Sequence, residues 1–152
     1  MTPQKIILLD AGPLGIATNP GASRETFLCI HWIRTLVAQS VQVMVPEIAD
    51  YEVRRELLRA GKRRGLGQLD QFKIDLAYLP LTTAAMLLAA ELWAQARNLG
   101  RPSAHDHALD GDVILAAQAK LLETAGHQVI VATTNVKHLE LFIDARHWRD
   151  IA

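Results

Sequence analysis

Two kinds of apolar pattern alternate along the chain. Short, mostly apolar runs of four or five residues are separated by longer stretches in which apolar residues recur every three or four positions. Ile6 to Leu9 is the first run and ends at Asp10; residues 41–45, apolar but for Gln42 and stopped by Pro46, and 129–132 are the others. Runs without alternation suit strands covered by helices on both faces, as in a parallel sheet. Between the runs, Ser23 with Thr26 can start a helix that buries Phe27, Ile30, Ile33, Leu36 and Val37. A second helix is expected over 47–60, with Ile48, Tyr51, Leu57 and Leu58 near the core and Gly61 as its stop. Residues 66–76 read as a short helix, and 78–81 as an edge-like strand because Pro80 removes a ladder donor. Thr82 or Thr83 can cap a long helix through Asn98, ended by Gly100, that buries Leu87, Leu88, Leu92 and Trp93. A further helix over 111–124 buries Ile114, Leu115, Ala119 and Leu122 before Gly126. Ala11-Gly12-Pro13 reads as a turn, 101–109 as a polar loop, and 137–152 as a short helix with a last edge strand.

This order predicts an α/β fold, a three-layer α/β/α sandwich around a mainly parallel sheet. At 152 residues the chain fits one domain, 1–152, with one sizeable core. A cleft between two domains is therefore not the expected site. One cysteine, Cys29, allows no internal disulfide, and no apolar stretch reaches the length of a signal sequence or membrane span. The expectation is a soluble, cytoplasmic protein with no membrane partner. Sixteen basic and sixteen acidic residues balance to zero, so any nucleic-acid role must rest on a local patch. Residues 50–64 offer one: Arg54, Arg55, Arg59, Lys62, Arg63 and Arg64 against Asp50, Glu52 and Glu56. The same run also suits a solvated helix face.

Candidate chemistry follows from where carboxylates fall. Ligands of open α/β sheets bind beyond the carboxyl ends of the strands. Asp10 stands at one such end, Asn135 just past another, and Asp112 in the first turn of a helix that feeds a third. Glu52 can join them, because its helix directly follows the strand ending at Val45. Clustered carboxylates repel in a cleft, and a hard divalent cation removes that penalty while acidifying a bound water. Local readings stand beside these. Asp10 can cap the turn at Gly12, Glu47 can answer a helix dipole, and Asp110 and Asp112 can be ordinary helix-start acids. Glu52 and Glu56 can pair with neighbouring arginines. His105 and His107 lack the cysteine cluster or His-Glu-x-x-His spacing of a zinc site. No Gly-x-x-x-x-Gly-Lys-Ser/Thr or dinucleotide fingerprint is present, and Cys29 and His31, two apart on a helix, do not face each other.

The chain resembles the PIN-domain family of ribonucleases, in particular VapC-like toxins and their bacterial relatives. Ile7-Leu8-Leu9-Asp10 looks like the strand that ends in the family's first metal-binding aspartate. Pro46 to Val53 resembles the strand-to-helix segment with its glutamate, which falls on Glu52 rather than Glu47. Asp112 to Ala119 looks like the aspartate followed by a small-residue helix, and Val129 to Leu139 like the last strand and its polar turn. The resemblance implies a PIN-like fold and metal-dependent hydrolysis of RNA, with Asp10, Glu52 and Asp112 holding Mg²⁺ or Mn²⁺. Asn135 would position a ligand or water, and Arg54, Arg55, Lys62, Arg63 and Arg64 would guide the RNA backbone. It also implies a homodimer and, for toxin members, an antitoxin partner.

Two positions depart from the family pattern. Asn135 stands where many relatives carry an aspartate, which bears on a second metal and leaves Asp110 as a substitute. Ala11 lacks a hydroxyl often found after the first aspartate, leaving Ser23 or Thr133 to bind phosphate. An RNA-binding protein that kept the fold without efficient turnover is the alternative reading. A flap-type DNA nuclease would need more chain, and an interaction module could use Trp32, Trp93 and Trp148 either in the core or at an interface.

Overall fold

The structure is a computed structural model that describes residues 2–100 and 106–152, without the side chains of residues 106–108. Among the described residues, five strands form one sheet: β1 (Lys5–Leu9), β2 (Gln42–Pro46), β3 (Ala77–Leu79), β4 (Gln128–Thr133) and β5 (Ala145–His147). Their order is β3-β2-β1-β4-β5, and every pairing is parallel. The chain runs outward from β1 through β2 to β3, then returns to the other side of β1 as β4. That reversal opens a crevice at the carboxyl ends of β1 and β4.

Among the described residues, seven α-helices surround the sheet: α1 (Ala11–Ala17), α2 (Arg24–Ala38), α3 (Glu47–Arg59), α4 (Arg63–Asp75), α5 (Thr83–Asn98), α6 (Asp106–Thr124) and α7 (Val136–Leu139). Strand side chains alternate between two cores. Ile6, Leu8, Val129 and Val131 face α5 and α6, while Ile7, Leu9, Ile130 and Ala132 face the layer of α1 to α4. Three layers therefore enclose the sheet as expected. Ile6 to Leu9 are each at most 2% exposed, and full burial of such side chains contributes about 1.5–3 kcal/mol apiece. Residue 10 is thus delivered to a fixed point.

Ala11-Gly12-Pro13 is not a turn but the first residues of α1. The Asp10 carboxylate accepts the Ala11 N–H and caps this helix, and a proline in a first turn removes only an amide that has no partner there. Gly12 permits close packing on the end of β4: a Cβ there would run into the Thr134 side chain. The expected loop over 101–109 is also corrected, since α6 begins at Asp106; His105 and the side chain of His107 lie outside the described residues.

Ser23 and Thr82 cap α2 and α5 by accepting the N–H groups of Thr26 and Ala85. Gly61, with φ of +66°, ends α3, a conformation costly for other residues. Six residues expected in or near the core are exposed: Phe27, Val37, Tyr51, Leu58, Leu87 and Trp93. The buried stripe of α2 is Thr26, Cys29, Ile33 and Leu36, so Phe27 and Val37 each stand one position off it. In α5 the stripe is Ala85, Ala89, Leu92 and Ala96. Small residues there let α5 lie close against α6, which turns Leu87 and Trp93 outward.

The tail forms the expected short helix and edge strand, α7 and β5. Trp148 is buried, and Trp32 packs against it with ring centres 5.6 Å apart while donating its indole N–H to Ile151 O. Among the described residues no helix is long and apolar enough to cross a membrane.

Candidate functional site

Asp10, Glu52 and Asp112 converge on the crevice beyond β1 and β4. Asp10 is held from two directions. Its Oδ1 accepts the Ala11 N–H at 2.8 Å, and its Oδ2 accepts the hydroxyl of Thr133 at 2.7 Å. Thr133 is fully buried at the end of β4 and also accepts the Asn135 N–H at 2.9 Å. The Asp10 N–H donates to Ala132 O, extending the β1–β4 ladder to the site itself.

Glu52 reaches the same place from α3. This helix contributes Ile48 to one core and Ala49, Val53 and Leu57 to the other, so it straddles the sheet edge. Asp112 comes from the first half of α6, and Gly111 beside it allows the approach of α3. A Cβ on Gly111 would lie 3.2 Å from both carboxylate oxygens of Glu52.

The three carboxylates oppose one another's ionisation. Burial pushes Asp112 up to about 7, and the charges of Asp10 and Glu52 act in the same direction. Glu52 is raised by burial and then by Asp10, with Arg55 opposing. Asp10 is raised by burial against the Thr133 and Ala11 hydrogen bonds and the charge of His138. Among the described residues none of the three is ion-paired with a lysine or arginine.

An all-oxygen, uncompensated donor set of this kind matches the chemistry of a hard divalent cation. The match lies in chemistry rather than in a finished cage: among the described residues, no three His, Cys, Asp or Glu side chains are grouped as a metal site. Bringing them onto one ion requires side-chain movement.

Asn135 lies at the rim, exposed, and is joined to the cluster through a residue that the sequence reading left without a role. Its amide nitrogen lies 3.1 Å from His138 Nδ1. The same His138 nitrogen stands 3.6 Å from Asp112 Oδ2, too long for a hydrogen bond. The signal was available, since Asn135 and His138 sit one helical turn apart beside the strand end.

Other candidates fall away from the centre. Glu47 accepts the Leu81 N–H at 2.6 Å and so ties α3 to the segment after β3. Glu56 pairs with Arg59, and Ser23 is occupied as a helix cap. Thr133, not Ser23, is the hydroxyl at the site, and it is committed to Asp10. Asp110 is exposed and lines a neighbouring cavity with Glu52. Cys29 is buried, and its thiol is pushed up to about 12, so it offers no thiolate.

The basic run divides. Arg54 bridges Asp50 and Asp70 at 2.9 and 2.7 Å, and Lys73 joins Asp50 at 3.2 Å. Asp50 is buried, so this network ties α3 to α4. Arg54 is therefore a structural residue, contrary to the expectation that it guides RNA. Arg59 and Lys62 line a cavity of about 340 Å³ that Glu52 also borders, and Arg55 lies on the other side of Glu52.

No protein-family model and no curated protein matches the sequence. Solved structures do match over almost the whole chain. VapBC2 from Rickettsia felis, bound to a promoter DNA fragment, aligns with a TM-score of 0.70 at 16% identity, covering 94% of this chain and 98% of that one. FitAcB from Neisseria gonorrhoeae aligns at 0.65 and 17% identity, covering 95% and 99%. VapC20 from Mycobacterium tuberculosis, a toxin that cleaves the sarcin-ricin loop, aligns at 0.59 and 15% identity, covering 91% and 97%.

Proposed function

We propose that this chain, which has the PIN-like fold of the VapC structures, is an endoribonuclease dependent on Mg²⁺ or Mn²⁺. The observation that carries this reading is the convergence of Asp10, Glu52 and Asp112 at the sheet's switch point, with Asp112 pushed up to about 7 by burial and then by the charges of Asp10 and Glu52. These three residues would hold the cation. A bound divalent ion supplies Lewis-acid charge and makes water acidic enough to act at neutral pH.

The chain's own residues orient and hold. Thr133 and the Ala11 N–H fix the Asp10 carboxylate, leaving its remaining lone pairs free. Asn135 holds His138, whose Nδ1 stands 3.6 Å from Asp112 Oδ2. Arg55, Lys62, Arg63 and Arg64 supply charge for a phosphate backbone. The likeness to VapBC complexes and to a loop-cleaving toxin supports a toxin of a toxin–antitoxin pair, with an antitoxin partner and a homodimer as part of the proposal.

A second reading, an RNA-binding protein without efficient turnover, is favoured by the absence of a finished metal cage among the described residues and by Asn135 at the rim. Cleavage of structured and single-stranded RNAs with Mg²⁺, Mn²⁺ or chelator separates the two. The nuclease reading requires cleavage that needs the metal and is lost in Asp10→Asn and Asp112→Asn. Binding without cleavage, the same in all three folded proteins, selects the second reading.

A further inference from the structure

We propose that the cavity between α3 and α6 binds one unpaired nucleobase of the RNA, next to the bond that is cut; this rests on the endoribonuclease reading and adds a specificity site to it. The cavity has a volume of about 290 Å³ and is bordered by Ile48, Tyr51, Glu52 and Arg55 of α3, facing Asp110 and Ile114 of α6. Small-ligand pockets begin near ~300 Å³.

Positions 48, 51, 52 and 55 share one face of α3. Glu52 belongs both to this cavity and to the carboxylate cluster, so an occupant lies within about one nucleotide of the reacting phosphate. Tyr51 is 55% exposed, although core burial was expected of it. The Arg55 guanidinium sits 5.2 Å from the centre of its ring, and among the described residues Arg55 makes no ion pair.

An exposed aromatic ring beside an unpaired guanidinium is the surface on which unpaired bases stack. Ile48 and Ile114 supply apolar walls. Asp110 has no structural partner among the described residues and offers only acceptors when ionised. It therefore selects a base that presents an exocyclic amino group, cytosine, adenine or guanine, over uracil. Gly111 keeps the wall between cavity and cluster thin.

The test uses the full chain and short single-stranded RNAs, each differing in one base beside the cleaved bond. Wild type, Tyr51→Ala, Tyr51→Phe and Asp110→Asn are compared for cleavage, for binding in chelator, and for fold by circular dichroism. The expected result is a loss of about 5- to 100-fold in RNA affinity for Tyr51→Ala, carried in KM, with recovery in Tyr51→Phe. Asp110→Asn should flatten the preference against uracil. Cleavage with unchanged KM and unchanged base preference in Tyr51→Ala and Asp110→Asn would overturn the subsite and leave the nuclease reading standing. If wild type cleaves nothing, the nuclease reading fails, and binding decides the subsite: weaker binding by Tyr51→Ala supports it, equal binding overturns it.

Discussion

Thr133 and Asp10, 123 positions apart in sequence, meet through a 2.7 Å hydrogen bond at the ends of two adjacent parallel strands. The hydroxyl is buried and has two duties, donating to Asp10 Oδ2 and accepting the Asn135 N–H. Thr133→Val keeps the shape and removes both bonds. The loss should cost about 1–3 kcal/mol in unfolding free energy, because two polar groups lose their buried partner. It should also favour protonated Asp10, since the Thr133 bond acts to lower that pKa. Denaturant unfolding and metal titration check both effects, with Thr133→Ser expected near wild type. Equal metal affinity in Thr133→Val would remove Thr133 from the site.

Gly111 and Glu52 give a prediction in which stability and activity part. Alanine in place of a helical glycine ordinarily stabilises by about 1 kcal/mol. Here the added Cβ would meet both Glu52 oxygens at 3.2 Å, and the flexible glutamate must yield. Gly111→Ala should therefore keep or raise the melting temperature while metal-dependent RNA cleavage falls several-fold. A fall in both together would mean that backbone packing, not the position of Glu52, is what Gly111 provides.

The basic run predicts a division of labour. Among the described residues, Arg54→Ala leaves the buried Asp50 paired with Lys73 alone and should cost about 1.5–3 kcal/mol, the range for hydrogen bonds to charged groups. Lys62→Ala, Arg63→Ala and Arg64→Ala should leave stability within about 0.5 kcal/mol. Each should reduce the slope of log RNA affinity against log salt by roughly 1 where it contacts phosphate. Thermal melts and binding at several salt concentrations make the comparison.

Much of this arrangement is legible in the sequence. Short apolar runs mark β1, β2 and β4, because strands buried on both faces need little alternation, and residues at or beyond their ends are the ones that converge. Ser23, Thr82 and Gly61 mark helix boundaries through chemistry that acts within one turn. What escaped depends on rotation or on distance in sequence. Gly12-Pro13 looks like a turn because nothing local reveals that Asp10 caps a helix there. Trp93 is large and apolar, yet which stripe of α5 faces inward depends on how closely α5 packs against α6, and Tyr51 stands off the positions that α3 buries, Ile48, Ala49, Val53 and Leu57. Arg54 is indistinguishable from its neighbours until α4 brings Asp70 and Lys73 to it. His138 gains meaning only when α6 sets Asp112 beside it.

The titration of Asp112 links stability, metal binding and activity. Its carboxyl is raised from 3.8 to about 7 by burial first, then by Asp10 and Glu52. Between those values the folded state binds a proton that the unfolded state has released, so the metal-free protein loses stability as pH rises across this window. A cation needs the ionised form, so its affinity should rise over the same window. Added Mg²⁺ should therefore raise the melting temperature more at pH 8 than at pH 5. Cleavage should rise with pH to a plateau, with a midpoint at or below about 7 that moves lower as metal concentration increases, because metal and proton compete for one carboxylate. In Asp112→Asn the metal-free stability should no longer fall through this window to the same extent. Melts without metal that are flat between pH 5 and 8 in wild type would show that Asp112 is ionised throughout and that the cluster is less crowded than its geometry indicates.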